Sequence, residues 1–194
     1  MKKIFLVILI LFLNGCSQYT ELNNLAIIKS IGINYQDEYI LYAQIIEEMD
    51  KDNLPKTKIV EVQGKDIPTL FLKIKKEVNK EIYLSHLDLL IIDQHLAEKQ
   101  YQELITYFLK HQELRNDFFC ILGEDIHYLL KNTKYDEIEK IILTNQDVIK
   151  ISFQEIMENL LNKQDFKISS IRYQDELIIK GNFQYQQNKL KEIQ

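Results

Sequence analysis

The sequence predicts an α+β fold: a mixed sheet with packed helices in the N-terminal domain, then a small region of helices and short strands. Three observations lead there. Runs rich in β-branched and aromatic residues come first, at residues 26–33, 38–47 and 58–63. The apolar period then lengthens, and helical stretches alternate with short apolar runs. Near the end, a capping box precedes short runs broken by turn residues.

Each element has its own warrant. Ala26-Ile27-Ile28-Lys29-Ser30-Ile31-Gly32-Ile33 and the run from Glu38 to Glu47 are joined by a polar turn at residues 34–37. Residues 58–63 alternate as a third strand, after a polar connection at 50–56 that contains Pro55. Leu70, Phe71, Ile74 and Val78 share one face of a helix starting near Pro68, a residue tolerated in the first turn. Residues 87–92 read as a buried strand. A second helix carries Tyr101, Leu104, Ile105 and Phe108, with Lys110 and Arg115 toward its end. Residues 118–122 form another strand, stopped by Gly123, and a helix begins at 125–130. Residues 135–143 are amphipathic through Ile138, Ile141 and Ile142. Ser152 and Glu155 cap a helix with Phe153, Ile156, Leu160 and Leu161. Residues 167–173, 176–180 and 182–186 read as strands, punctuated by Asp175 and Gly181.

The first sixteen residues are of another kind. Lys2 and Lys3 precede an apolar run at 4–13, and Leu13-Asn14-Gly15-Cys16 closes it. About 20 apolar residues are needed to span a bilayer, so this run suits the core of a secretory signal peptide. Gly15 gives the small residue before a cut, and Cys16 follows. The segment resembles the lipobox of bacterial lipoproteins, which implies a diacylglyceryl group on the Cys16 thiol and cleavage before it. Each buried methylene contributes about 0.8 kcal/mol and one chain anchors marginally, so two chains hold firmly. The expected layout is a signal peptide at 1–15, a lipidated tether at 16–24, an N-terminal α/β domain at 25–131 and a second small α+β region at 132–194. The mature protein is thereby expected on the outer face of a membrane.

Removing 15 of 194 residues leaves 179, and loss of the two lysines takes the net charge from −5 to −7. Nucleic-acid binding demands a clustered basic surface, which this balance excludes. Cys120, within Phe118-Phe119-Cys120-Ile121-Leu122, reads as a small buried hydrophobe. With Cys16 acylated, no disulfide is available and the fold depends on its core.

Several side chains invite chemistry. Ser85, His86 and Asp88 suggest a triad, yet neighbours on a strand point to opposite faces and no Gly-x-Ser-x-Gly elbow surrounds Ser85. His86, His95, His111 and His127 lack the spacing of a helical zinc pair. Glycine is too sparse for a phosphate loop. No catalytic residue, metal or cofactor is therefore expected, and the chain does not read as an enzyme. Tyr39, Tyr42, Tyr101 and Tyr107 read either as contact-surface residues or as half-buried strand and helix residues.

One series of motifs runs through these elements: Glu21-Leu22-Asn23-Asn24-Leu25-Ala26-Ile27, Ile31-Gly32-Ile33, Gln63-Gly64-Lys65, Leu84-Ser85-His86-Leu87, Leu90-Ile91-Ile92, Leu96-Ala97, Leu104-Ile105, Phe108-Leu109 and Glu113-Leu114-Arg115. In this order, behind the lipobox, they resemble the Ger(x)C family, the lipoprotein C subunit of bacterial spore germinant receptors. The resemblance covers most of residues 13–190, the front portion of a full-length member without its large C-terminal domain. It implies a non-catalytic assembly subunit on the spore inner membrane or cell membrane. The implied partners are the integral-membrane A and B subunits, in a receptor that couples small nutrients to spore germination. The alternative is a solute-binding lipoprotein of a transport system, which normally needs two lobes around a cleft.

Overall fold

A computed structural model describes residues 24–49, 55–99, 101–110, 114–187 and 189–193. The expected signal peptide, Cys16 and the expected tether up to residue 23 lie outside the described residues. The chain forms β1 (Leu25–Tyr35), β2 (Tyr39–Met49) and β3 (Pro55–Gly64), then α1 (Ile67–Val78) and β4 (Glu81–Tyr83). Next come β5 (Leu89–Asp93), α2 (Gln94–Lys99), α3 (Tyr101–Lys110), β6 (Phe119–Gly123), α4 (Ile126–Asn132) and α5 (Tyr135–Thr144). The last elements are α6 (Phe153–Leu161), β7 (Phe166–Gln174), β8 (Glu176–Gln186) and β9 (Lys189–Ile193).

Among the described residues, nine strands make one mixed sheet in the order β3-β2-β1-β5-β6-β7-β8-β9, with β4 pairing β1. This is the α+β architecture that the sequence pattern predicts. β1, β5, β6 and β7 run parallel, and the hairpins on both sides are antiparallel. Residues 132–194 contribute β7 to β9, and β7 pairs β6 at Leu122↔Ser170 and Gly123↔Ile171. The strands beyond residue 132 thus extend the sheet begun by residues 25–131.

Strand alternation sorts the interior into two layers. Leu90, Ile92, Cys120 and Leu122 join one core with α1, α2, α3 and α6, through residues such as Ile74, Leu96, Phe108 and Phe153. Leu89, Ile91 and Ile121 join the other with α4 and α5, through Ile126, Leu130, Ile138 and Ile142. In β1 the register slips at Lys29, the extra residue between the Ile28↔Ile45 and Ser30↔Gln44 pairs. That bulge lets Ala26, Ile28, Ile31 and Ile33 all reach the first core, although their spacing is not a uniform two.

Local chemistry fixes the helix ends. Asp66 accepts a hydrogen bond from Thr69 N at 2.8 Å and opens α1, and Asn79 closes it in the left-handed region. Ser152 and Glu155 form the anticipated capping box of α6. Gln44 and Ser30 are buried, polar and on the α4 side. Ser30 Oγ donates to Gln44 Oε1 at 2.7 Å, while Gln44 Nε2 donates to the carbonyls of Leu130 and Thr133 at 3.2 and 2.9 Å. A side chain from β2 therefore satisfies the orphan end of α4.

Three local expectations need correction. The second helix is preceded by a short one that was not expected, α2, because Asp93 accepts from His95 N and Leu96 N and starts a helix directly after β5. Arg115 lies beyond α3, in a turn where its guanidinium grips Asp117. Residues 176–180 and 182–186 are one strand, since Gly181 sits at a bulge opposite Ser170 rather than in a turn. The short strands β4 and β9 add to those expected.

Candidate functional site

The β4–β5 connection carries the Leu84-Ser85-His86-Leu87 motif. Leu84 and Leu87 are buried and anchor it, and Leu87 N donates to Leu84 O at 3.0 Å. Asp88 then ties three strands: its N–H donates to Lys29 O at 2.9 Å, and its carbonyl accepts from Phe119 N at 2.9 Å. Its carboxylate pairs with the Lys29 ammonium, which also lies 5.2 Å above the Tyr135 ring. Burial, and next the nearby Asp88 carboxylate, push the Glu139 carboxyl upward. The motif thereby locks the β1 bulge to β5, β6 and α5.

This geometry does not assemble a triad. His86 is exposed, with its ring 5.6 Å from Tyr83, and Asp88 is turned to Lys29. His95 is exposed, and its backbone N–H donates to Asp93. His127 Nδ1 lies 3.1 Å from Glu61, beside Tyr42. His111 lies outside the described residues. Among the described residues, no group of three or more His, Cys, Asp or Glu is placed to hold a metal. Cys120 is buried, and burial pushes its thiol well up, away from the reactive thiolate.

Of the tyrosines weighed as contact residues, Tyr39 and Tyr42 belong to the core, and the side chain of Tyr101 lies outside the described residues. Tyr39 Oη donates to Glu103 at 2.5 Å and fastens α3 to the sheet. Burial, then that carboxylate, raises the Tyr39 phenol. Tyr107 is half-buried and stacks on Phe71 at 4.7 Å, with its phenol raised by burial.

Tyr107 borders the feature that sequence reading missed. Between α1, β4 and α3 lies a groove of about 420 Å³ lined by Phe71, Leu72, Ile82, Leu84 and Tyr107. On the other side of α3, a larger groove of about 700 Å³ lies between α3, α6 and the end of β8, lined by Ile105, Leu109, Met157, Leu160, Leu161 and Tyr185. Leu72, Leu109 and Leu161 are 61%, 47% and 75% exposed. Each directly adjoins a residue turned inward: Phe71, Phe108 or Leu160. Consecutive helical residues diverge by about 100°, and each of these three leucines falls beyond the inward-facing arc of its helix. That doubling was the available signal. Chemically, this face is suited to apolar side chains of a partner rather than to bond-making.

No helix among the described residues is long and apolar enough to cross a membrane. Comparison with known families matches residues 18–173 to the spore germination protein N-terminal domain. Spore germination protein KC of Bacillus subtilis (strain 168) is 26% identical over 108 residues, covering 50% of this chain. The aligned stretch spans only 26% of that relative's length. No solved structure matches the chain.

Proposed function

Since the chain belongs to the Ger(x)C family, through the spore germination protein N-terminal domain over residues 18–173, we propose that it is the lipid-anchored C-type subunit of a germinant receptor. In this reading Cys16 bears the diacylglyceryl group and the folded body stands on the outer face of the membrane. Its role is to hold polytopic partner subunits in the nutrient-responsive assembly, without catalysing a reaction. The family match carries the proposal, because it runs from the tether through β7 and so embraces both sides of the sheet.

Two structural features support it. β1 begins at Leu25, nine residues after Cys16. At about 3.3–3.6 Å per residue, the body stands within roughly 32 Å of the lipid even if the tether is fully extended. The apolar grooves beside α3 offer a surface on which a partner buries side chains.

Growth with a radioactive fatty acid tests the anchor: the wild-type chain takes label and Cys16→Ala does not. Label on Cys16→Ala, or a mature chain free in the medium and starting beyond residue 16, overturns that part. Affinity purification from membranes tests the assembly. Failure to recover any polytopic partner, with normal nutrient germination in a deletion strain, overturns the receptor role.

A further inference from the structure

The two ends of the sheet differ in charge. β1, β5, β6 and β7 are parallel, and β3 runs with them because β2 is antiparallel to both its neighbours. The turns that follow these strands therefore lie together, at the end of the sheet far from Leu25. They form an acidic rim: Asp37 and Glu38 follow β1, Glu124 and Asp125 follow β6, and Asp175 and Glu176 join β7 to β8. Lys65 and Asp66 after β3 cancel, and Lys180 answers Glu124 at 3.3 Å.

The near end, where the chain enters β1, carries the other sign in one place. A hollow of about 280 Å³ lies between the start of β1, the end of β2, the start of β3 and the last turn of α1. Ala26 and Ile45 are buried beneath it. Among the described residues, its lining sets three exposed lysines, Lys56, Lys58 and Lys80, against one acid, Glu47.

We propose that this hollow seats phosphate groups of anionic phospholipids, so that the near end lies on the bilayer and the acidic rim points away from it. The proposal rests on the Cys16 anchor. A lysine ammonium is drawn to an anionic membrane surface, and the pull fades within a Debye length, about 8 Å at physiological salt. Only side chains held close to the surface feel it. β1 starts nine residues after Cys16, and Ala26 of that strand lines the hollow, so these lysines are among the charges brought nearest. The same field repels the acidic rim. Attraction at one end and repulsion at the other turn the body the same way.

The full chain, purified from membranes in detergent and reconstituted into vesicles, tests this. The vesicles are phosphatidylcholine alone or mixed with phosphatidylglycerol, and both carry an energy acceptor on a headgroup. A fluorophore is attached at Glu77→Cys, exposed in the last turn of α1, or at Asp37→Cys in the acidic rim; Cys120 is buried. With phosphatidylglycerol present, energy transfer from residue 77 is expected to exceed that from residue 37 at least several-fold, and high salt shrinks the difference. Lys56→Glu together with Lys80→Glu abolishes it. Lys65→Glu together with Lys180→Glu, an equal change of charge at the far end, leaves it in place. Equal transfer from both positions, no dependence on phosphatidylglycerol, or the same loss from the far-end reversals overturns the proposal while the anchor stands. A chain that floats with neither kind of vesicle overturns the anchor and this orientation with it.

Discussion

Gly32 of β1 lies directly beneath Ile126 of α4: a Cβ on Gly32 would clash with Ile126 Cγ2 and come 2.8 Å from Leu130 Cδ1. Gly123, two strands away, has a similar part, since a Cβ there would meet Ile91 Cγ2 at 2.5 Å and Ile126 Cγ1 at 3.3 Å. Neither glycine has positive φ, so it is close approach that requires them. Gly32→Ala should therefore destabilise the fold by about 1–3 kcal/mol through overpacking. Denaturant unfolding measures it; a midpoint equal to wild type would show that α4 moves aside freely.

A second prediction concerns Gln44. Replacement by Leu removes the donor to the Leu130 and Thr133 carbonyls and the acceptor for Ser30. Buried groups left without partners lose roughly 1–3 kcal/mol, so Gln44→Leu should destabilise although it is more apolar. Ser30→Ala made together with Gln44→Leu should be milder than the sum of the two, which a double-mutant cycle reads directly.

How much of this was legible follows from the range of the forces involved. The strands from β1 to β3, α1 and the α6 capping box rest on local period and end chemistry, and they stand where the pattern put them. Gln44 could not be assigned, because its partners at 130 and 133 come close only after α4 docks. Lys29 was equally opaque: one extra residue in β1 is invisible without the facing strand. β8 was divided at Gly181 because glycine usually marks a turn, whereas flanking pairs with β7 carry the strand through. The α3 grooves were legible only as a surplus, in apolar residues such as Leu161 that lie beyond the inward arc of their helix.

Cys120 should resist modification. Its thiol is buried in the first core, its backbone N–H donates to the Ile151 carbonyl at 2.9 Å, and its ionisation is pushed far up. A thiol reagent at mildly alkaline pH is expected to leave it untouched in the native protein and react fully in denaturant. Rapid native reaction would mean that β6 opens readily.

The phenol of Tyr39 sets an alkaline limit. Its proton is retained in the fold above its ordinary value of 10.0, by burial and by the bond to Glu103. Above pH 10 the unfolded chain therefore binds fewer protons than the native one, and stability falls as pH rises. Below that value this contribution is constant. Tyr39→Phe should lower stability at neutral pH by about 0.5–1.5 kcal/mol, the range of a net hydrogen bond, and flatten the alkaline decline. An unchanged slope in denaturation curves between pH 9 and 11 would count against it.

β4 pairs β1 at the place where the chain enters the body, through Leu25↔Glu81, Ala26↔Ile82 and Ile27↔Tyr83. Beyond it, β1 is flanked by β2 and β5. Tension arriving from residues ahead of Leu25 therefore loads an interior strand lengthwise. Its ladders are strained in shear, many bonds at once, instead of being peeled one by one from an edge. A pull along the axis of β1 is thus resisted by several ladders together.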